Sequence, residues 1–240
     1  MVPSRRLASA AIVLFGAAFA AAQELGGGFG PALNIGTLGV TVAQGEFARQ
    51  MRGGSGSSSS RRTRARRANA AALAYRPSPA VRKRVLDAFV TVITRNDPKT
   101  EAAVRKEIAQ KDPVTSLKAQ FPTYGLRPNN LADGMAMYLV QAWYGAHGKV
   151  AKGAAAYKAV ARQTADVFGS MPALARASDA TKQEAAEGMM LYGALFEDAV
   201  KKAKNDPASL AKVESAIALH ARNSLGFDLA ALRLGPNGLY

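Results

Sequence analysis

Four dipeptides punctuate the chain after residue 75: Ser78-Pro79, Asp97-Pro98, Asp112-Pro113 and Asp206-Pro207. Each sets a short polar residue that can cap a helix before a proline at the first helical position, where a missing N–H costs nothing. Proline is unwelcome inside helices and central strands, so these pairs divide the region into successive helices. Between them apolar residues recur at helical spacing, as in Val81, Val85, Phe89, Val92 and Ile93. Asn130 precedes a helix that turns Met135, Leu139, Ala142 and Trp143 inward and carries Asp133 in its positive first turn. Ala154 to Phe168 reads as another helix. Thr181-Lys182-Gln183-Glu184 matches a capping box, followed by Ala185, Met189, Tyr192, Phe196, Ala199 and Ala203 at alternating spacings of four and three. A last helix spans Ala208 to Ser224, and an irregular tail from Gly226 to Tyr240 folds back over the rest. No strand pattern lies between the helices. The expected fold is all-α, a single compact bundle of six to seven helices over residues 76–240.

The composition before residue 76 is different. Arg5 and Arg6 precede an apolar run from Leu7 to Ala22 that ends in small residues, the layout of a cleavable signal peptide. The run is 16 residues long, short of the roughly 20 that span a bilayer. Cleavage after Ala20 or Ala22 is expected, giving a periplasmic or secreted mature chain without a transmembrane helix. Residues 23–75 hold glycine-rich and serine-rich stretches and the run Arg61-Arg62-Thr63-Arg64-Ala65-Arg66-Arg67. Such segments have nothing to bury, and the reading is a disordered Gly/Ser/Arg-rich arm.

The formal charge of +15 favours anionic partners. Residues 1–75 hold nine basic and two acidic side chains, net +7, so the surplus is densest in the arm. Arg61, Arg62, Arg64, Arg66 and Arg67 are candidates for docking on an anionic envelope surface, at about 1 kcal/mol per residue near a charged bilayer. The competing reading of the same run is a soluble tether. Nucleic acid is not expected as a partner, because export removes the chain from it and no aromatic residues interleave the arginines.

The chain has no cysteine, which removes thiol catalysis, Cys-based zinc sites and iron–sulfur clusters. Its two histidines, His147 and His220, are far apart in sequence and form no HExxH pair. There is no nucleophile elbow, no Walker loop and no dinucleotide fingerprint, so no cofactor or metal is implied and no catalytic residue is assigned. Glu184 and Glu187, one helical turn apart, are the one carboxylate pair that a glycan hydrolase could use. Their competing roles are the capping box and the helix dipole. Phe121, Tyr124, Tyr138, Trp143 and Tyr144 gather in one stretch. From this region Asn130, Asp133 and Trp143 are taken as candidate pocket residues, against a core role for the aromatics.

Several short motifs carry a family resemblance: Tyr124-Gly125-Leu126-Arg127, Asn130-Leu131-Ala132-Asp133, Trp143, Asp179 to Glu184 with Glu187, and Gly226-Phe227-Asp228-Leu229. In order and spacing from Arg76 onward, the sequence resembles an uncharacterised family of exported bacterial proteins, domain of unknown function 6683. It departs at Leu239-Tyr240, where that pattern has a phenylalanine ending. The resemblance implies a helical exported domain and assigns no activity. The expected function is a non-enzymatic binding or structural role at the cell envelope, with partners among anionic envelope components or another envelope protein. The alternative is an envelope glycan hydrolase using a carboxylate pair.

Overall fold

The capping residues act on the backbone in different ways. Asp112 accepts from the backbone N–H of Val114 at 2.9 Å, and Asp206 from that of Ala208 at 3.1 Å. Asp97 opens only a single 3-10 turn, Pro98–Thr100, and makes no cap bond. At Ser78 the backbone takes the place of the hydroxyl: its N–H donates to Gln183 Oε1 at 2.7 Å and its carbonyl accepts from Gln183 Nε2 at 3.0 Å. The structure, a computed structural model, describes residues 71–95 and 97–240. The signal segment, the glycine-rich and serine-rich stretches and the arginine run lie outside the described residues.

The helices are α1 (Pro79–Ile93), α2 (Glu101–Gln110), α3 (Pro113–Gln120), α4 (Leu131–Gly145), α5 (Ala155–Gly169), the four-residue α6 (Pro172–Ala175), α7 (Asp179–Ala203) and α8 (Pro207–Leu225). The all-α reading holds, with seven helices of eight residues or more and the short α6 among the described residues. A second 3-10 turn covers Phe121–Tyr124. Two expectations about local structure change. Helix α7 starts three residues earlier than the Thr181 capping box implied, because Ser178 is the N-cap and accepts from Thr181 N–H at 3.2 Å. Glu184 therefore caps nothing. The tail is not wholly irregular either: β1 (Leu234–Gly235) pairs antiparallel with β2 (Gly238–Leu239). Gln163 holds β2 like a short neighbouring strand, donating to Leu239 O at 2.7 Å and accepting from Leu239 N at 2.8 Å. Gly238, at φ 110°, leaves the space that the Gln163 amide fills.

Two helices form the middle. Thirteen of the fifteen residues of α4 are buried, which requires neighbours on every side. Its main neighbour is α7, and the approach is close: a Cβ on Gly134 would stand 3.0 Å from the Ala186 backbone. Gly193 of α7 faces Tyr138 and Gln141 further along. These contacts advance together along both helices, so α4 and α7 run parallel. Helix α1 follows α7 in the same direction, through Ser78 with Gln183, Arg82 with Glu187 and Phe89 with Tyr192. Helix α5 runs opposite to α4, with Thr164 donating to Ala132 O at 2.9 Å and Tyr157 meeting Gln141 at the other end. Helix α8 also runs opposite, seating Ile217 on Gly145 and His220 beside Tyr138. Ahead of α1, Leu73 and Tyr75 lie in this core, although the reading from sequence places them in the arm. The segment is strapped across the bundle by Tyr75 N–H to Asn129 O at 3.1 Å and Leu131 N–H to Leu73 O at 3.0 Å. Lys182 adds a bond to Ala72 O at 2.7 Å.

Candidate functional site

Glu187 sits where α7 meets α1 and α3, among Ala186, Gly188, Met189 and Met190, and its side chain has no exposure. Burying a lone carboxylate is prohibitive, so it must be paired and hydrogen-bonded. Arg82 of α1 donates through Nε at 2.5 Å and Nη2 at 2.8 Å. Lys118 of α3 donates at 2.8 Å and Gln183 at 3.1 Å. Arg82 also pairs with Asp112, and Lys118 reaches Asn129 Oδ1 at 2.8 Å while standing 5.1 Å over the Tyr75 ring. Burial pushes the Lys118 amine down, opposed by Glu187. Burial pushes the Asp112 carboxyl up, but the Thr115 hydroxyl and Arg82 outweigh it and hold the group below its ordinary range. The result is two cations and two carboxylates locked together inside one joint. Every oxygen of Glu187 is occupied from within, which suits a staple and leaves no room for a substrate.

The candidate pocket residues divide between two places. Asn130 caps α4, accepting from Ala132 N–H at 3.0 Å and Asp133 N–H at 3.4 Å. Asp133 is buried and accepts from Arg127 three times: backbone N–H at 2.8 Å, Nε at 2.5 Å and Nη2 at 3.0 Å. Trp143 lies thirteen residues after Asn130 and ten after Asp133, about 20 and 15 Å along the helix at the usual rise, so the structure does not bring it to the other two. Its Nε1 donates to Leu232 O at 2.8 Å, and its ring lies 4.3 Å from that of His147. His147 Nδ1 donates to Trp143 O at 2.7 Å, closing the helix end. Glu184 is separated from Glu187 by exposure: its side chain is 48% exposed and 3.7 Å from Arg84. The arginines 61, 62, 64, 66 and 67 lie outside the described residues.

His220 is enclosed by rings: Tyr192 at 4.7 Å, Phe196 at 5.3 Å and Tyr138 at 6.0 Å. Burial there pushes the imidazole down from 6.5 to about 4. Asp198 is buried on α7, where burial pushes its carboxyl up, and its partner Lys202 stands 2.6 Å away.

A second polar cluster opens to the surface where α4, α5 and α7 meet the Phe121–Tyr124 turn. Gln141 is 3% exposed, and its Nε2 donates at 2.6 Å both to the Tyr157 hydroxyl and to Glu197 Oε2. Lys201 pairs with the other Glu197 oxygen. The Tyr124 ring lies over Tyr157, 4.5 Å between centroids and tilted by 35°. Burial first, then the neighbouring Glu197, Tyr124 and Tyr144, raise the Tyr157 phenol above its ordinary range. Tyr124 and Tyr144 are half-buried, and the Glu197 side chain is 24% exposed. The aromatic stretch hinted at this cluster, and the i,i+4 spacing of Glu197 and Lys201 predicts their ion pair, but nothing in the sequence joined that pair to Gln141.

Among the described residues no group of His, Cys, Asp or Glu could hold a metal ion, and no helix is long and apolar enough to cross a membrane. The model of a family of unknown function, DUF6683, matches residues 1–240. No curated protein and no solved structure matches the chain.

Proposed function

We propose, for a chain that belongs to the family of unknown function DUF6683, a non-enzymatic binding or structural role at the cell envelope. The helical domain is delivered there by residues 1–22 and tethered through the basic arm. What supports this reading is the internal saturation of two buried acids: Glu187 is taken up by Arg82, Lys118 and Gln183, and Asp133 by Arg127. A glycosidase needs two carboxylates facing one sugar across an open gap of about 5–9 Å. Glu184 at the surface and Glu187 inside a staple do not supply that, so no observation favours the hydrolase. The arm's arginines then serve as the anionic-surface contact, which export leaves to lipid headgroups or acidic polymers rather than nucleic acid.

Cosedimentation with vesicles of phosphatidylcholine, with and without phosphatidylglycerol, tests this on the full chain and on a chain lacking Arg61–Arg67. The full chain is expected to bind the anionic vesicles at low salt and release at high salt, since screening shortens such attractions. The deletion is expected to abolish binding. Equal binding by both chains, at both salt levels, overturns the role of the arm.

A further inference from the structure

The polar cluster beside Glu197 has a composition that the staple lacks: it is rigid at its base and open at its rim. We propose that Tyr124, Gln141, Tyr144, Tyr157, Glu197 and Lys201 form a binding site for a neutral saccharide. This deepens the binding role proposed above by naming a ligand class for the folded domain, and it does not depend on the arm.

The base is fixed from four directions. Gln141 comes from α4, Tyr157 from the start of α5, Glu197 from the second half of α7 and Tyr124 from the 3-10 turn. A single amide nitrogen ties the phenol and the carboxylate together at 2.6 Å each, so neither side chain is free to wander. Gly193 of α7 faces the Gln141 stem across ordinary contact distance. Above this base stand two half-buried tyrosines. Tyr124 is set against Tyr157, and Tyr144 leans edge-on against Trp143 with centroids 5.1 Å apart. Tyrosine presents an apolar face and a polar tip together. Binding sites commonly join such surfaces to a few placed hydrogen-bonding groups.

Charge selects among ligands. A carboxylate ringed by tyrosines would attract a quaternary ammonium group through its field and the ring faces. Here Lys201 is paired with Glu197, so the patch carries no net charge and gives a cation no advantage. A phosphate or carboxylate ligand would meet the Glu197 oxygens. A pyranose ring fits both demands. Its C–H face lies on an aromatic ring, and its hydroxyls donate to the carboxylate and accept from the ammonium and the phenols.

The single tryptophan of the chain, Trp143, is in contact with Tyr144 and reports on the site. The experiment titrates the full chain with an N-acetylglucosamine tetramer, with maltohexaose and with choline, following Trp143 emission and heat of binding. Saturable binding of one saccharide is expected, little changed by salt. Tyr124→Ala and Glu197→Gln are each expected to weaken it about tenfold or more, as loss of a placed contact does. Circular dichroism and vesicle binding should stay unchanged in both. Should Tyr124→Ala fail to fold, the near-isosteric Glu197→Gln decides. No saturable binding of either saccharide, unchanged affinity in the variants, or binding of choline alone overturns the site. Sugar binding that survives deletion of Arg61–Arg67 separates this site from the arm, so either can fail without the other.

Discussion

Replacing Glu187 with alanine should open the joint between α1, α3 and α7. The carboxylate takes four donors at 2.5–3.1 Å from Arg82, Lys118 and Gln183. After its removal Arg82 keeps Asp112, but Lys118 keeps only the neutral Asn129 oxygen and the Tyr75 ring. Breaking a buried pair on one side costs about 3–5 kcal/mol. The Arg82 and Lys118 side chains retain 15% and 11% exposure, so water can soften the loss and the lower end, about 3 kcal/mol, applies. In a domain of this size that corresponds to a drop in Tm of roughly 10 °C. Urea unfolding followed by circular dichroism measures it, with the m-value expected to be unchanged. Adding Lys118→Met to the alanine variant should recover part of the loss, because the stranded cation goes. A cost below about 1 kcal/mol for Glu187→Ala, the range of exposed pairs, would refute the account of a closed staple.

Acid should unfold the protein partly through His220. Its imidazole titrates at about 4 when folded against 6.5 unfolded. The unfolded chain therefore binds the proton first, and stability is intact above pH 6.5 and lost as the pH falls toward 4. The loss reaches about 3 kcal/mol. His220→Leu should flatten the stability profile between those values, and an unaltered slope in urea titrations across this range would count against the buried position. Gly134→Ala should cost about 1–3 kcal/mol, because its Cβ meets the Ala186 backbone rather than a movable side chain. Gly193→Ala, whose nearest neighbours stand at 3.5–3.6 Å, should cost less, and the reverse order in thermal melts would contradict the packing of α4 on α7.

Much of the architecture is legible in the sequence because it depends on near neighbours. Asn130, Asp112 and Asp206 announce their helices through bonds two or three residues away. The misplaced start of α7 is instructive. Ser178 and Thr181 are both capping residues, and nothing local says which of the two will be extended. The staple was illegible for another reason: Glu187 finds its partners 105 and 69 residues away, distances over which spacing says nothing. A charged residue set between Ala186 and Gly188-Met189-Met190 was the available clue. Asn130 and Trp143 looked joined because one caps α4 and the other lies on it, yet a helix separates its ends as surely as it links them.

The strap that begins at Leu73 has a consequence for how the chain acquires its shape. The backbone of Ser78 is completed by Gln183, 105 residues downstream, and Lys182 holds Ala72 across 110. Chains are made from the N-terminus, so the first segment of the core to emerge is the one whose partners come late. Contacts this distant in sequence slow folding, since the loop must close before they reward it. Until α7 is made, Leu73 and Tyr75 have only the start of α4 and Lys118 to meet, and the face of α1 that packs on α7 remains apolar surface open to a chaperone. Closure of the bundle is then a late event in which α7, arriving between α1 and α4, fixes the oldest part of the chain last.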